Sequence, residues 1–215
     1  DAVRTIRMEA ARVLASAPEG ALTDSQRDSL DKAMQEYRQA LMANAERAES
    51  QTSLGDLLAQ SGDTAEATKA YLKAVELDPT FMPAYANHAD FLRRQGRDDV
   101  AEERLLAALE VDPQSAAINH ALGLTLVRRK SLDEALVHLR LASEVSPEDA
   151  RYAYVYAVAL ESSGQLREAI DILTTAYQRN PGNPDIITAL ASYHMKQGNQ
   201  EKAREYLGKL KALEQ

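Results

Sequence analysis

Pro79, Pro113, Pro147 and Pro181 lie 34 residues apart, and the same interval runs through the rest of the chain. Leu54-Gly55, Gly62, Ala67, Tyr71, Ala74 and Asp78-Pro79 set a spacing that recurs four more times. A unit this short cannot bury its own apolar faces, so a period of this length means an array of supersecondary units that stack on one another. The units begin at 48, 82, 116, 150 and 184 and span 48–215, and residues 1–47 stand apart from them.

Within each unit the apolar residues fall at helical spacing in two runs, which predicts a helical hairpin. The front helices carry Leu54 and Leu58, Tyr85 and Leu92, Leu122 and Leu126, Tyr156 and Leu160, and Ile187 and Leu190. Gly55, Ala89, Gly123, Ala157 and Ala191 lie beside them, where a larger side chain would hold the paired helix away. Gly62, Gly96, Gly164 and Gly198 mark the inner turns and suit a left-handed helix end, and Lys130 takes that place in the third unit. In the back helices Ala67, Ala101, Ala135, Ala169 and Ala203 each precede Tyr71, Leu105, Leu139, Leu173 and Leu207 by four residues. The recurring prolines follow the back helices, where proline cannot continue a helix.

This pattern resembles the tetratricopeptide repeat. The resemblance implies an all-α fold, a right-handed α-α superhelix of antiparallel helical hairpins, and a protein-binding role. The chain departs from it early in the front helix, where Gln51, Asn119 and Ala153 replace the usual aromatic and Tyr85 is a partial exception. Members that grip a chaperone's C-terminal carboxylate use Lys, Asn and Arg on the first three front helices. Here Asn87 alone matches, and Thr52, Asp56, Ala117 and Ala121 do not, which disfavours that function.

Residues 1–47 are expected to form a helix pair that caps the stack. Asp1 can cap a first helix to about Ser16, and Ala17-Pro18-Glu19-Gly20 breaks it. Thr23-x-x-Gln26 has the form of a capping box, so a second helix starts there and continues to about Asn44. Its Ala33, Tyr37 and Ala40 share the spacing of Ala67, Tyr71 and Ala74, which makes it the back half of a repeat. The opening Val3-Arg4 to Leu14 is similar to the closing helix of a HEAT-type repeat. With Ala121 to Arg128 and Arg151 to Leu160, it resembles the C-terminal region of bacterial multihaem c-type cytochrome proteins that carry HEAT and tetratricopeptide repeats. That resemblance implies a periplasmic scaffold or docking arm beside a haem-bearing part. Without it the expected compartment is the cytoplasm, although the absence of cysteine alone does not separate the two, and a chain that begins at Asp1 reads as a processed protein or part of a longer one.

Charge and composition narrow the functions. A net charge of −8, from 33 acidic and 25 basic residues, would repel a phosphate backbone, so nucleic acid is not an expected partner. No apolar run reaches membrane-spanning length, so no membrane insertion is expected. With no cysteine there is no thiol nucleophile, thiolate metal site or haem-attachment motif in these residues, and no cofactor is expected. His88 and His194 fall where Leu or Tyr packs, His138 lies on a back helix, and none forms a close ligand pair, so no metal site is expected. Scattered carboxylates on a helical array are a solvated face, and neither a phosphate loop nor a nucleophile elbow is present, so no catalytic residue is assigned and an enzyme is not expected.

Function is therefore sought on the faces of the front helices that the repeat does not need. The candidate groove residues are Asp56, Asn87, Asp90, Arg93, Arg94, His120, Leu124, Val127, Arg128, Tyr154, Val158 and Glu161. Leu124, Val127, Tyr154 and Val158, flanked by Arg94 and Arg128, suit a protein segment or peptide with an acidic element, unless the face packs on the chain's own upstream domain or is a merely tolerated surface. The expected function is a non-catalytic protein-protein interaction scaffold. The alternative is an assembly module that joins copies or domains through its end helices. Leu207, Leu210 and Leu213 make the C-terminal edge the candidate surface for self-association.

Overall fold

A computed structural model describes residues 2–14 and 20–213. Asp1 as a cap, the end of the first helix near Ser16 and the break at 17–19 lie outside the described residues. Among those residues there are twelve α-helices and no strand. They are α1 (Ala2–Leu14), α2 (Asp24–Met42), α3 (Ala48–Gln60), α4 (Thr64–Leu77), α5 (Met82–Arg94), α6 (Asp98–Val111), α7 (Ala116–Arg128), α8 (Leu132–Val145), α9 (Ala150–Ser162), α10 (Leu166–Arg179), α11 (Pro184–Lys196) and α12 (Gln200–Leu213). The front helices are α3, α5, α7, α9 and α11.

The chain divides into two compact units, 1–95 and 96–215. In the first, α1 packs on α2, α2 on α3, and α3 and α4 pack on each other and on α5. In the second, each helix from α6 to α12 packs on the next, and α9 also meets α11.

The helix ends follow from local chemistry. Thr23 forms the full capping box: Gln26 Oε1 accepts from the Thr23 backbone N–H at 2.8 Å, and the Gln26 N–H donates to Thr23 Oγ1 at 3.4 Å. Asn183 caps α11 by accepting from Ile186 N–H at 3.0 Å, and Pro184 follows as the first helical residue. Gly62, Gly96, Gly164 and Gly198 all have positive φ at the inner turns, and Lys130 takes the same conformation at φ 65°. A lysine there carries the steric cost that glycine avoids.

The core is built from the periodic positions. Ala67, Ala101, Ala135 and Ala169 are wholly buried, as are Tyr71, Leu105, Leu139 and Leu173 behind them. Leu207 breaks the series at 45% exposure, and Tyr206 is the buried side chain there instead. Of the front-helix line only Leu54 is not fully buried. A Cβ on Gly123 would stand 2.5 Å from Leu139 Cγ, and one on Gly55 would stand 2.7 Å from Tyr71 Cε1, so both glycines exist to let helices approach.

At the place of the usual aromatic, three of the front helices make a polar tie. Gln51 Nε2 donates to the Ala45 carbonyl at 2.7 Å, Tyr85 Oη to the Pro79 carbonyl at 3.2 Å, and Asn119 Nδ2 to the Pro113 carbonyl at 3.1 Å. Each reaches six residues back and fastens the front helix to the connection before it. Asn119 is 1% exposed, and its carbonyl oxygen accepts from His138 Nδ1 at 2.8 Å, which places the ring proton on that nitrogen.

Candidate functional site

In the first unit, four of the sequence-derived groove residues converge. Asp56 on α3 and Asn87, Asp90 and Arg94 on α5 line an open cavity of about 550 Å³, which Met34 and Tyr37 of α2 and Glu9 of α1 complete. Asp56 accepts from Tyr71 Oη at 2.7 Å and from Asn87 Nδ2 at 3.0 Å. Burial first, and the Asp56 carboxylate second, push the Tyr71 phenol far above its ordinary range. Asp90 pairs with Arg93 at 2.7 Å and with Arg94 at 3.3 Å. The cavity lining thus holds three carboxylates and the guanidinium of Arg94, with Arg93 a second cation on Asp90.

In the second unit the remaining candidates lie on α7 and α9. Leu124 and Tyr154 are half-buried, while Val127 and Val158 are 40% and 37% exposed. Arg128 Nε bonds Asp98 at 2.8 Å, and Glu161 accepts from Lys196 Nζ at 2.6 Å. Tyr193, beneath this face, is pushed up to about 12 by burial, with the Glu161 carboxylate adding to the shift.

Two expectations are corrected here. His120 does not face a groove: it is 8% exposed, and its ring lies 4.7 Å from that of Tyr152 on α9, which covers it. Thr52, one of the positions compared with the carboxylate clamp, is 4% exposed and turns its hydroxyl back to the Ala48 carbonyl at 2.9 Å. The arginines expected to attract an acidic element are both paired within the chain, Arg94 with Asp90 and Arg128 with Asp98. His88 and His194 are core side chains, stacked on Tyr71 and Tyr206 at 5.2 and 5.7 Å. Among the described residues no group of three His, Asp or Glu is placed to hold a metal, and no helix is long and apolar enough to cross a membrane.

Sequence reasoning missed Glu9, Met34 and Tyr37 as lining residues. For Tyr37 a signal existed, since its spacing matches Tyr71 in a back helix. Glu9 carries none, because α1 lies outside the period.

Stacked antiparallel hairpins of this length, with small residues at the crossings and glycine at the inner turns, define a helical-repeat protein. Tetratricopeptide repeat models match residues 48–81, 87–142 and 160–215, most of the chain, and the chain belongs to the tetratricopeptide repeat family. Among solved structures, YrrB, described as a TPR protein with an unusual peptide-binding site, is 24% identical, with a TM-score of 0.59 over 81% of this chain and 90% of that one. One structure of MamA is 22% identical, with a TM-score of 0.64 over 74% of this chain and 94% of that one. A second MamA structure gives 21% identity and the same TM-score over 78% and 91%. At these identities the likeness shows the fold. Comparison with curated proteins gives no match. These comparisons do not show the resemblance to multihaem cytochrome proteins.

Proposed function

We propose that the chain is a non-catalytic protein-interaction scaffold whose first unit holds an extended protein segment in the cavity between α2, α3 and α5. The observation that carries this reading is the convergence of Asp56, Asn87, Asp90 and Arg94 on one open cavity of about 550 Å³. A peptide needs backbone partners and a few side-chain anchors. The Asn87 amide oxygen is an acceptor for a peptide N–H, and Tyr37 and Met34 offer apolar surface. With carboxylates in the majority, the segment favoured is one with a Lys or Arg side chain, in place of the acidic element expected from sequence. The exposed Val127 and Val158, with Tyr154, form a separate surface on the second unit for apolar side chains.

The test is a fluorescent peptide library read by anisotropy. Enrichment for basic peptides, weakened by Asp90→Asn and by added salt with the melting temperature unchanged, supports the reading. A library without charge preference overturns it. For the second surface, Tyr154→Ala and Arg128→Ala should weaken capture of a bound partner.

A second reading, self-association through α12, draws on the exposure of Leu207 and Leu213, 45% and 51%. Light scattering over a range of concentrations separates the two, since a concentration-independent monomer removes it.

A further inference from the structure

In the second unit the side-chain tie that fastens the front helices is missing at Ala153 and at Ile187, and at the first of these a cavity opens. Tyr85 and Asn119 bond the carbonyls of Pro79 and Pro113. The next residue in the series is Ala153, which carries no polar group, and the corresponding carbonyl belongs to Pro147. Ala153 and Pro147 both line an open cavity of about 290 Å³ between α8, α9 and α10.

On α8 the facing wall has receded, and on α10 it has lost its polar group. Ser143, on α8, lines the cavity where the two preceding repeats have Val75 and Leu109. On α10 the wall is Ile172, whose counterpart one repeat earlier is His138, the side chain that meets Asn119 at 2.8 Å. In the third repeat this space is filled by an amide and an imidazole bonded to each other. In the fourth it is lined by a methyl, a sec-butyl and a short hydroxyl, and it reaches solvent beside the exposed Glu144, Thr175 and Arg179. Two neighbouring truncations at one register, Ala153 and Ser143, leave a socket with an apolar floor and Pro147 in its lining.

We propose that this socket is a binding site for a tyrosine side chain presented by a protein partner, with its hydroxyl donating to the Pro147 carbonyl. The chain itself supplies the template, since Tyr85 occupies the matching place two repeats earlier and donates to Pro79 at 3.2 Å. A ring brings apolar area to Ala153, Ile172 and Ala176, and the phenol brings the one donor the site needs. This site does not rest on the cavity of the first unit, and either can fail alone.

The test uses the 215-residue chain with methyl-labelled Ala and Ile, titrated with 4-methylphenol, with toluene and with a blocked Gly-Gly-Tyr-Gly-Gly peptide. Saturable shifts of the Ala153 and Ile172 methyls are expected with the phenol and the peptide, and about three- to tenfold weaker binding with toluene, which lacks the hydrogen bond. Ala153→Asn, which copies Asn119, and Ser143→Leu, which copies Leu109, fill the socket from two sides, and the response of the Ile172 methyl, labelled in both variants, should be lost in each. Retention of that response in either variant while it remains folded overturns the proposal, as does equal binding of toluene. Binding of the phenol without the peptide makes this a small-molecule site and overturns the partner tyrosine.

Discussion

Tyr71 on α4 donates its hydroxyl to Asp56 on α3 at 2.7 Å, so a fully buried ring in the core of the first repeat orients a carboxylate of the candidate cavity. The packing of the hairpin and the chemistry of its open face therefore share one side chain. Tyr71→Phe keeps the ring and removes the bond to a charged acceptor, which should cost about 1.5–3 kcal/mol in urea denaturation. The same variant frees Asp56 to reorient, so affinity for a basic peptide should change as well. An unchanged denaturation midpoint would sink this assignment.

Three glycines should respond to alanine in opposite directions. Gly123→Ala and Gly55→Ala place a methyl within 2.5–2.7 Å of Leu139 and Tyr71 and should destabilise by about 1–3 kcal/mol despite the better helix propensity. Gly208, in α12, has nothing within 4 Å of an added Cβ, and Gly208→Ala should stabilise by up to about 1 kcal/mol. Thermal melting of the three variants side by side checks the set.

Ala135 has no exposed surface, and its carbonyl oxygen lies 3.3 Å from where a Gly123 Cβ would be. Ala135→Leu is expected to cost about 1–3 kcal/mol through overpacking at the crossing of α7 and α8. A variant that melts with the wild type would refute the crossing.

Lys130 holds φ 65° at the turn where four other repeats use glycine. Relief of the left-handed conformation, less the extra entropy of an unfolded glycine, predicts that Lys130→Gly raises stability by up to about 1 kcal/mol. Differential scanning calorimetry reads this as a higher melting temperature, and a fall would mean that the lysine has a stabilising role of its own.

Burial lowers His138 and His194 below the ordinary histidine value of 6.5. The unfolded chain therefore binds more protons than the native one as pH drops through 6.5. The stability is fully present above that pH and is lost as pH falls toward the native values. Asp78 and Glu205, held low by Thr80 and Lys209 respectively, continue the loss under more acid conditions. Urea midpoints should decline from pH 7.5 to 5.5, and His194→Leu should flatten that slope. A midpoint independent of pH across this range would contradict the lowered imidazoles of His138 and His194.

Part of the candidate site was legible from spacing alone. Asp56, Asn87, Asp90 and Arg94 occupy front-helix positions that the period leaves unused, and helical geometry brings such positions to one face. His120 shows where that reasoning stops. Its register points outward, yet Tyr152 from another helix closes over it, and no spacing within α7 carries that fact. Glu9 was invisible for the converse reason, since it reaches the cavity from a helix with no place in the repeat. The charge preference also changed, because the positions of the arginines do not say that Arg94 and Arg128 are each paired with an aspartate.

By itself the sequence determined the repeating hairpin, its inner turns and its small crossing residues, all of which depend on side chains within one unit and on 34-residue periodicity. The tertiary structure alone decided which polar groups are sequestered and where space is left over. Tyr71 binds Asp56, Asn119 meets His138, and an open cavity lies beside Ala153. Burial and satisfaction of a polar group depend on side chains brought in by neighbouring helices, and a one-dimensional pattern records those helices without recording how they meet.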